Sequence, residues 1–64
     1  MTRIRRGGYA FAKWIGDHDP GHVHVYRDGE LVLKWNLELD VAMQGEPSRR
    51  IIRLIRELRL EGKL

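Results

Sequence analysis

The chain has 64 residues, with 12 lysines and arginines against 9 aspartates and glutamates, a formal net charge of +3 and no cysteine. This length predicts one domain, residues 1–64, that buries only about 60% of its unfolded surface and so needs help from a metal or from oligomerisation. The lack of cysteine argues against a disulfide-stapled secreted domain and favours the cytoplasm. No apolar run approaches the roughly 18 residues of a membrane span. The pI near 9.8 exceeds the value of about 9 that is typical of nucleic-acid-binding domains.

The first half of the chain is predicted to form strands. Residues 1–7, MTRIRRG, are expected to be a mobile basic arm. Residues 9–15, YAFAKWI, are rich in aromatic residues and lack Pro and Gly, which predicts a strand whose buried face the pattern does not show. The composition of residues 16–21, GDHDPG, predicts a turn. Alternation in residues 22–26, HVHVY, predicts a half-buried second strand, and residues 31–35, LVLKW, predict a third.

The register of the second hairpin follows from side-chain chemistry. A two-residue turn at Asp28 and Gly29 would place imidazoles among the apolar side chains of the next strand. A three-residue loop that begins at Arg27 shifts the register by one and separates polar from apolar side chains. We therefore predict the longer loop, with Val23 opposite Leu33. The polar face then carries His22, His24, Tyr26, Glu30, Val32 and Lys34, and points away from the helix described next.

The second half is predicted to end in a helix. Residues 37–45 are expected to be a connector with a short helical turn at residues 40–43. Pro47 suits the first turn of a helix, and Gly62 is a plausible stop. The spacing i, i+3, i+4, i+7 predicts a buried stripe of Ile51, Leu54, Ile55 and Leu58. The predicted fold is α+β, a three-stranded antiparallel sheet (β-β-β-α) covered on one face by a C-terminal helix.

The histidines carry the first functional hypothesis. All three lie within residues 17–24, DHDPGHVH, beside two aspartates. His22 and His24 project from the same side of a strand, and His18 lies in the turn before them. Three imidazoles suit a divalent, zinc-like transition metal. An alternative is that all three are ordinary surface side chains.

A second use of the same histidines is acid–base chemistry on RNA, either metal-independent or metal-assisted. His22 or His24 would move the proton, while Arg27 or Lys34 would stabilise phosphate charge. An aromatic side chain, Tyr26 or Trp14, could stack on a base.

The helix carries a second basic surface. Arg49, Arg53 and Arg56 line up on the side opposite the apolar stripe, with few acidic neighbours. A solvated helix face explains such a row, but an unneutralised row also suits phosphate or an acidic protein surface. We keep these arginines as predicted nucleic-acid-binding residues.

The pattern of residues 8–35 resembles a known family. An aromatic strand followed by Asp-His, Pro and His-x-His-Val resembles the small bacterial family catalogued as domain of unknown function 4160. Gly29, Glu30 and the Leu/Ile/Arg helix extend the likeness over nearly the whole chain. The family has no established activity, but its members are often encoded beside a second small protein, as in toxin–antitoxin pairs. The motif is carried by Tyr9, Phe11, Trp14, Asp17, His18, Pro20, His22, His24 and Val25.

The resemblance implies a protein partner. Together with the basic and histidine-rich segments, it predicts a small toxin-like RNA-binding module of the cytoplasm, with ribonuclease activity left open, that acts with a second small protein. The alternatives are a non-enzymatic, antitoxin-like regulator and a histidine-based metal-binding domain. A homo-oligomer is compatible with each, and a membrane role with none.

Overall fold

The computed structural model describes residues 2–13 and 21–64 of the chain. These form one antiparallel sheet, whose strands lie side by side in chain order, and one helix. The α+β class with an antiparallel sheet and a C-terminal helix is confirmed, but the prediction of three strands is wrong, because the sheet has five. The elements are β1 (Thr2–Arg6), β2 (Tyr9–Lys13), β3 (His22–Arg27), β4 (Glu30–Asn36), β5 (Val41–Gly45) and α1 (Arg49–Leu60).

The first additional strand, β1, comes from the segment that we expected to be a basic arm. Ile4 pairs with Phe11 of β2 and packs against the core. Gly7 and Gly8 form the turn with φ of 62° and 86°, the left-handed conformation that a two-residue hairpin requires. The alternation of Arg3, Ile4 and Arg5 before Gly-Gly was therefore a hairpin signal, hidden by the high charge of the segment.

The second additional strand, β5, lies where we expected a helical turn. The side chain of Asn36 is buried, and its Oδ1 accepts hydrogen bonds from the backbone N–H groups of Glu38 and Leu39, both at 2.9 Å. Asp40, with a φ of 59°, then reverses the chain. The next five residues form β5, which pairs with β4 through a β-bulge at Met43, and all five are exposed. Without a buried face, β5 has no alternating pattern that would have distinguished it from a loop.

The β3–β4 hairpin has the predicted faces along β3, but the predicted loop is wrong, and so are the predicted sides of the first three residues of β4. Leu31 pairs with Tyr26, Glu30 pairs with Arg27, and Val32 packs against the core. The turn consists of Asp28 and Gly29 alone, with φ of 51° and 80°. A β-bulge then adds one residue to β4, so that Val23 lies opposite Trp35 and not opposite Leu33. The bulge restores the separation of polar and apolar side chains that a two-residue turn alone would have inverted.

The helix covers one face of the sheet with the predicted stripe, since Ile51, Leu54, Ile55 and Leu58 are all buried. No helix in the described part of the chain is long and apolar enough to cross a membrane. The sheet side of the core consists of Phe11, Val23, Val25, Leu33, Trp35 and Leu37.

The ends of the helix are fixed by capping. The hydroxyl of Ser48 accepts a hydrogen bond from the N–H of Ile51 at 3.2 Å, so Ser48 is the N-cap. We had expected Pro47 in the first turn of the helix, but it precedes the N-cap. Gly62 ends the helix as predicted, because its φ of 76° permits a Schellman motif. In this motif the backbone N–H of Lys63 donates a hydrogen bond to the carbonyl of Leu58 at 2.9 Å.

Candidate nucleic-acid interface

The sheet has a second face, opposite α1, which we call the distal face. Residues that pair directly across strands lie on the same face. The strand registers place three rows of paired residues there. The first row is Arg3, Ala12, His24, Lys34 and Gln44, the second is Arg5, Ala10, Tyr26 and Leu31, and the third is His22, Asn36 and Val41.

Two alanines form a groove on the distal face, which we call the β2 groove. Ala10 and Ala12 are only 7% and 4% exposed, because longer side chains stand on the strands to either side. Arg3 and Arg5 of β1 form one wall, while His24 and Tyr26 of β3 form the other. The groove therefore has a basic wall, an apolar floor and an aromatic wall.

The aromatic wall contains two of the three histidines. The rings of His22 and His24 have centroids 5.0 Å apart and planes at 65°. Tyr26 follows, with its ring 6.3 Å from that of His24 at 71°. All three are half-buried, and neighbouring rings in the row lie edge to face. His22 and His24 thus lie away from the helix, as predicted, whereas His18 lies outside the described residues.

The predicted metal site stays a prediction. In residues 2–13 and 21–64 no group of three or more His, Asp or Glu side chains could hold a metal ion. A site made by His18, His22 and His24 needs a residue from outside these ranges.

The two cations predicted to accompany the histidines lie on opposite faces. Lys34 pairs directly with His24 on the distal face and is half-buried. Arg27 is one residue beyond Tyr26 on β3, so it points to the helix side, where its guanidinium lies 5.9 Å from the ring centroid of Tyr9. Of these two cations, Lys34 is the one placed to act beside the imidazoles.

The helix arginines form a surface separate from the distal face. Arg49, Arg53 and Arg56 are exposed on the side of α1 that faces away from the sheet. Arg56 lies 3.9 Å from the carboxylate of Asp40. The phosphate-binding residues predicted from the sequence therefore belong to two surfaces and not to one site.

Other arginines of the helix fasten the fold. Arg50 donates a hydrogen bond to the carbonyl of Gly7 at 3.1 Å, and Arg59 donates one to the carbonyl of Leu37 at 3.0 Å. Both bonds tie α1 to turns of the sheet, which explains part of the arginine content without any ligand.

Arg3 and Arg5 were missed as site residues, since we had assigned them to a mobile arm. Neither makes an ion pair with any residue in the described ranges. Arg6 differs, because it alternates to the helix side and binds the carboxylate of Glu61 through both terminal nitrogens. Arg3 and Arg5 are therefore two cations along the β2 groove that make no ion pair within the described ranges. Their alternation with Ile4 was the sequence signal that could have identified them.

Comparison of the chain with protein-family models, with the sequences of curated proteins and with solved structures gives no significant match.

Proposed function

We propose that this chain is a small, toxin-like RNA-binding module that holds single-stranded RNA along the β2 groove. The observation that supports this most directly is the alanine floor between a basic and an aromatic wall. Single-stranded nucleic acids are bound by cations that follow the backbone and by aromatic rings on which bases stack. Arg3 and Arg5 supply the cations, while Tyr26 and His24 supply the rings.

The width of the groove favours a single strand over a duplex. Its walls stand on β1 and β3, which are two strand spacings, or about 10 Å, apart. A duplex keeps its bases stacked inside, where Tyr26 cannot reach their faces, whereas unpaired bases can be splayed onto aromatic side chains. The ligand class we propose is therefore unpaired RNA.

Ribonuclease activity is a natural extension of this proposal. One imidazole of the His22 and His24 pair would take the proton of a ribose 2′-OH. The 2′-oxygen then attacks phosphorus, and the bond from phosphorus to the 5′-oxygen breaks. The other imidazole donates a proton to that leaving oxygen, while Lys34 stabilises the charge on phosphate. The products are a cyclic phosphate and a free 5′-hydroxyl.

Salt-dependent binding of a labelled single-stranded RNA tests the location of the site. For single strands, the logarithm of affinity falls with the logarithm of salt by about 0.7 per phosphate contact. The double variant Arg3→Ala/Arg5→Ala is expected to lower this slope by about 1.4. The matched control Arg49→Ala/Arg53→Ala removes two cations from the helix surface and should leave the slope unchanged.

The outcome against the proposal is equally specific. An effect of the helix pair alone, or no affinity of the wild-type chain for single-stranded RNA, would remove the β2 groove as an RNA site. Cleavage is scored separately with His22→Gln, which should abolish product formation while binding persists. His24→Gln should abolish product formation and also weaken binding, because it removes one of the two stacking rings.

A second candidate, a non-enzymatic interaction protein, is favoured by the other end of the sheet. Leu39, Val41 and Met43 are 70%, 48% and 44% exposed, and exposed apolar side chains suit a protein partner better than a polyanion. On this alternative, Met43→Lys abolishes capture of the partner protein and Arg3→Ala/Arg5→Ala does not. On the leading proposal, Arg3→Ala/Arg5→Ala weakens RNA binding and Met43→Lys leaves it unchanged.

A further inference from the structure

The β2 groove ends in a pocket at one corner of the sheet. The pocket has a volume of about 390 Å³ and lies between the β1–β2 turn and the β3–β4 turn. Ligand pockets in proteins begin at roughly 300 Å³, so this one has room for a single nucleotide. Its lining includes Arg3, Arg5, Ala10, Tyr26, Asp28 and Gly29.

Asp28 is the unusual member of this lining. A carboxylate repels phosphate, so in a pocket for RNA it must face the base and not the backbone. Asp28 is exposed and makes no ion pair with another residue of the described ranges. Its two oxygens accept hydrogen bonds and donate none. The base that it selects is therefore the one with the most suitable donors.

Guanine is the base whose Watson–Crick edge offers two adjacent donors, N1–H and the N2 amino group. Adenine and cytosine each place one amino donor beside a ring nitrogen that would repel a carboxylate. Uracil has one N–H between two carbonyl oxygens. Of the four Watson–Crick edges, guanine's alone can thus donate two adjacent hydrogen bonds to a carboxylate.

We propose that the corner pocket binds a guanine nucleotide of single-stranded RNA. Asp28 accepts hydrogen bonds from guanine N1–H and N2–H, Tyr26 stacks on the base, and Arg3 and Arg5 hold the adjoining phosphates. This inference rests on the proposed RNA binding and adds base preference to it.

The position of Asp28 in the turn allows a clean substitution. Its φ of 51° lies in the left-handed region, which Asn and Asp tolerate better than other non-glycine residues. Asp28→Asn therefore keeps the turn while it removes the charge and one acceptor oxygen. Glu30→Gln is the matched control, because it removes a carboxylate from the same hairpin but from outside the pocket.

The experiment compares four uridine-rich 8-mers that differ only at one central position, which is G, A, C or U. Wild-type protein should bind the G-containing 8-mer roughly fivefold or more tightly than the others, since a bidentate base contact is worth at least that factor. In Asp28→Asn the preference should fall to within about twofold while the salt slope stays the same. Glu30→Gln should keep the preference, and thermal melting checks that each variant is folded.

The possible failures can be told apart. Equal binding of all four 8-mers by the wild type, or a G preference that survives Asp28→Asn, overturns guanine selection and leaves RNA binding intact. No binding of any 8-mer overturns the proposed function itself. GMP that binds as tightly as the G-containing 8-mer would assign the pocket to a free nucleotide and so overturn its role in RNA binding.

Discussion

The two edges of the sheet are built on different principles. β1 carries arginine at three of its five positions, Arg3, Arg5 and Arg6, and two side-chain contacts tie its hairpin to the helix. β5, with the sequence VAMQG, has no charge and exposes all five residues. A charged edge resists pairing with another strand, whereas an uncharged edge invites it. β1 is therefore available as a wall of the β2 groove. β5 has neither charge nor a buried side chain, so its position against β4 must depend on its backbone.

The backbone of β5 packs closely against that of β4 at Gly45. The residue has a φ of 90°, and a Cβ atom added there would lie 2.3 Å from the carbonyl oxygen of Val32. Since this neighbour is backbone, it cannot move aside as a flexible side chain would. The end of β5 therefore fits against β4 only while residue 45 has no side chain.

Gly45→Ala should lower the free energy of unfolding more than the other substitutions in either edge of the sheet. The positive φ and the backbone clash together should cost about 3 kcal/mol or more, a large part of the stability of so small a domain. Gly62→Ala is the control, because it also has a positive φ, 76°, but no heavy atom within 4 Å of the added Cβ. It should cost only about 1 kcal/mol. Urea unfolding followed by circular dichroism measures both, and equal losses would show that β5 does not pack against β4 in this way.

Gly7→Ala tests the other edge and should have a smaller effect. At a φ of 62°, the added Cβ would lie 2.8 Å from a methyl carbon of Leu54, which can rotate. We expect a loss of about 1–2 kcal/mol in the free energy of unfolding. Gly8→Ala, with a φ of 86° and no atom within 4 Å, reports the conformational cost alone. A Gly7→Ala loss below that of Gly8→Ala would mean that the β1–β2 turn does not contact the helix.

The difference between the edges also explains what the sequence could predict. The helix stripe and the placement of His22 and His24 followed from periodicity, because burial imposes periods of 3.6 and 2 on the chain. β5 has no buried side chain, so burial imposed no pattern on it. In β1, Ile4 is a partly buried apolar side chain, which was too weak a signal among its arginines. Asp28, Arg3 and Arg5 line the same pocket, and their proximity depends on strand pairings that local sequence does not encode.

Glu61→Gln is expected to give the smallest effect, and one that depends on pH. Arg6 donates a hydrogen bond of 2.8 Å to Glu61, and this bond is the main cause that lowers the pKa of the Glu61 carboxyl to about 2. Because this pKa lies below the ordinary value of 4.5, the stabilisation is complete above pH 4.5 and is lost as the pH falls through about 2. The pair is partly exposed, so the gain in unfolding free energy is modest.

Urea midpoints at several pH values between 2 and 6 for wild type, Arg6→Gln, Glu61→Gln and the double variant isolate the coupling between the two side chains. The coupling should be present at pH 6 and vanish near pH 2. A coupling that stays constant over this range would show that the charged pair does not hold β1 to the helix. The β1 edge would then depend on Arg50 and on the packing of Gly7 against Leu54, and so on shape in the same way as β5.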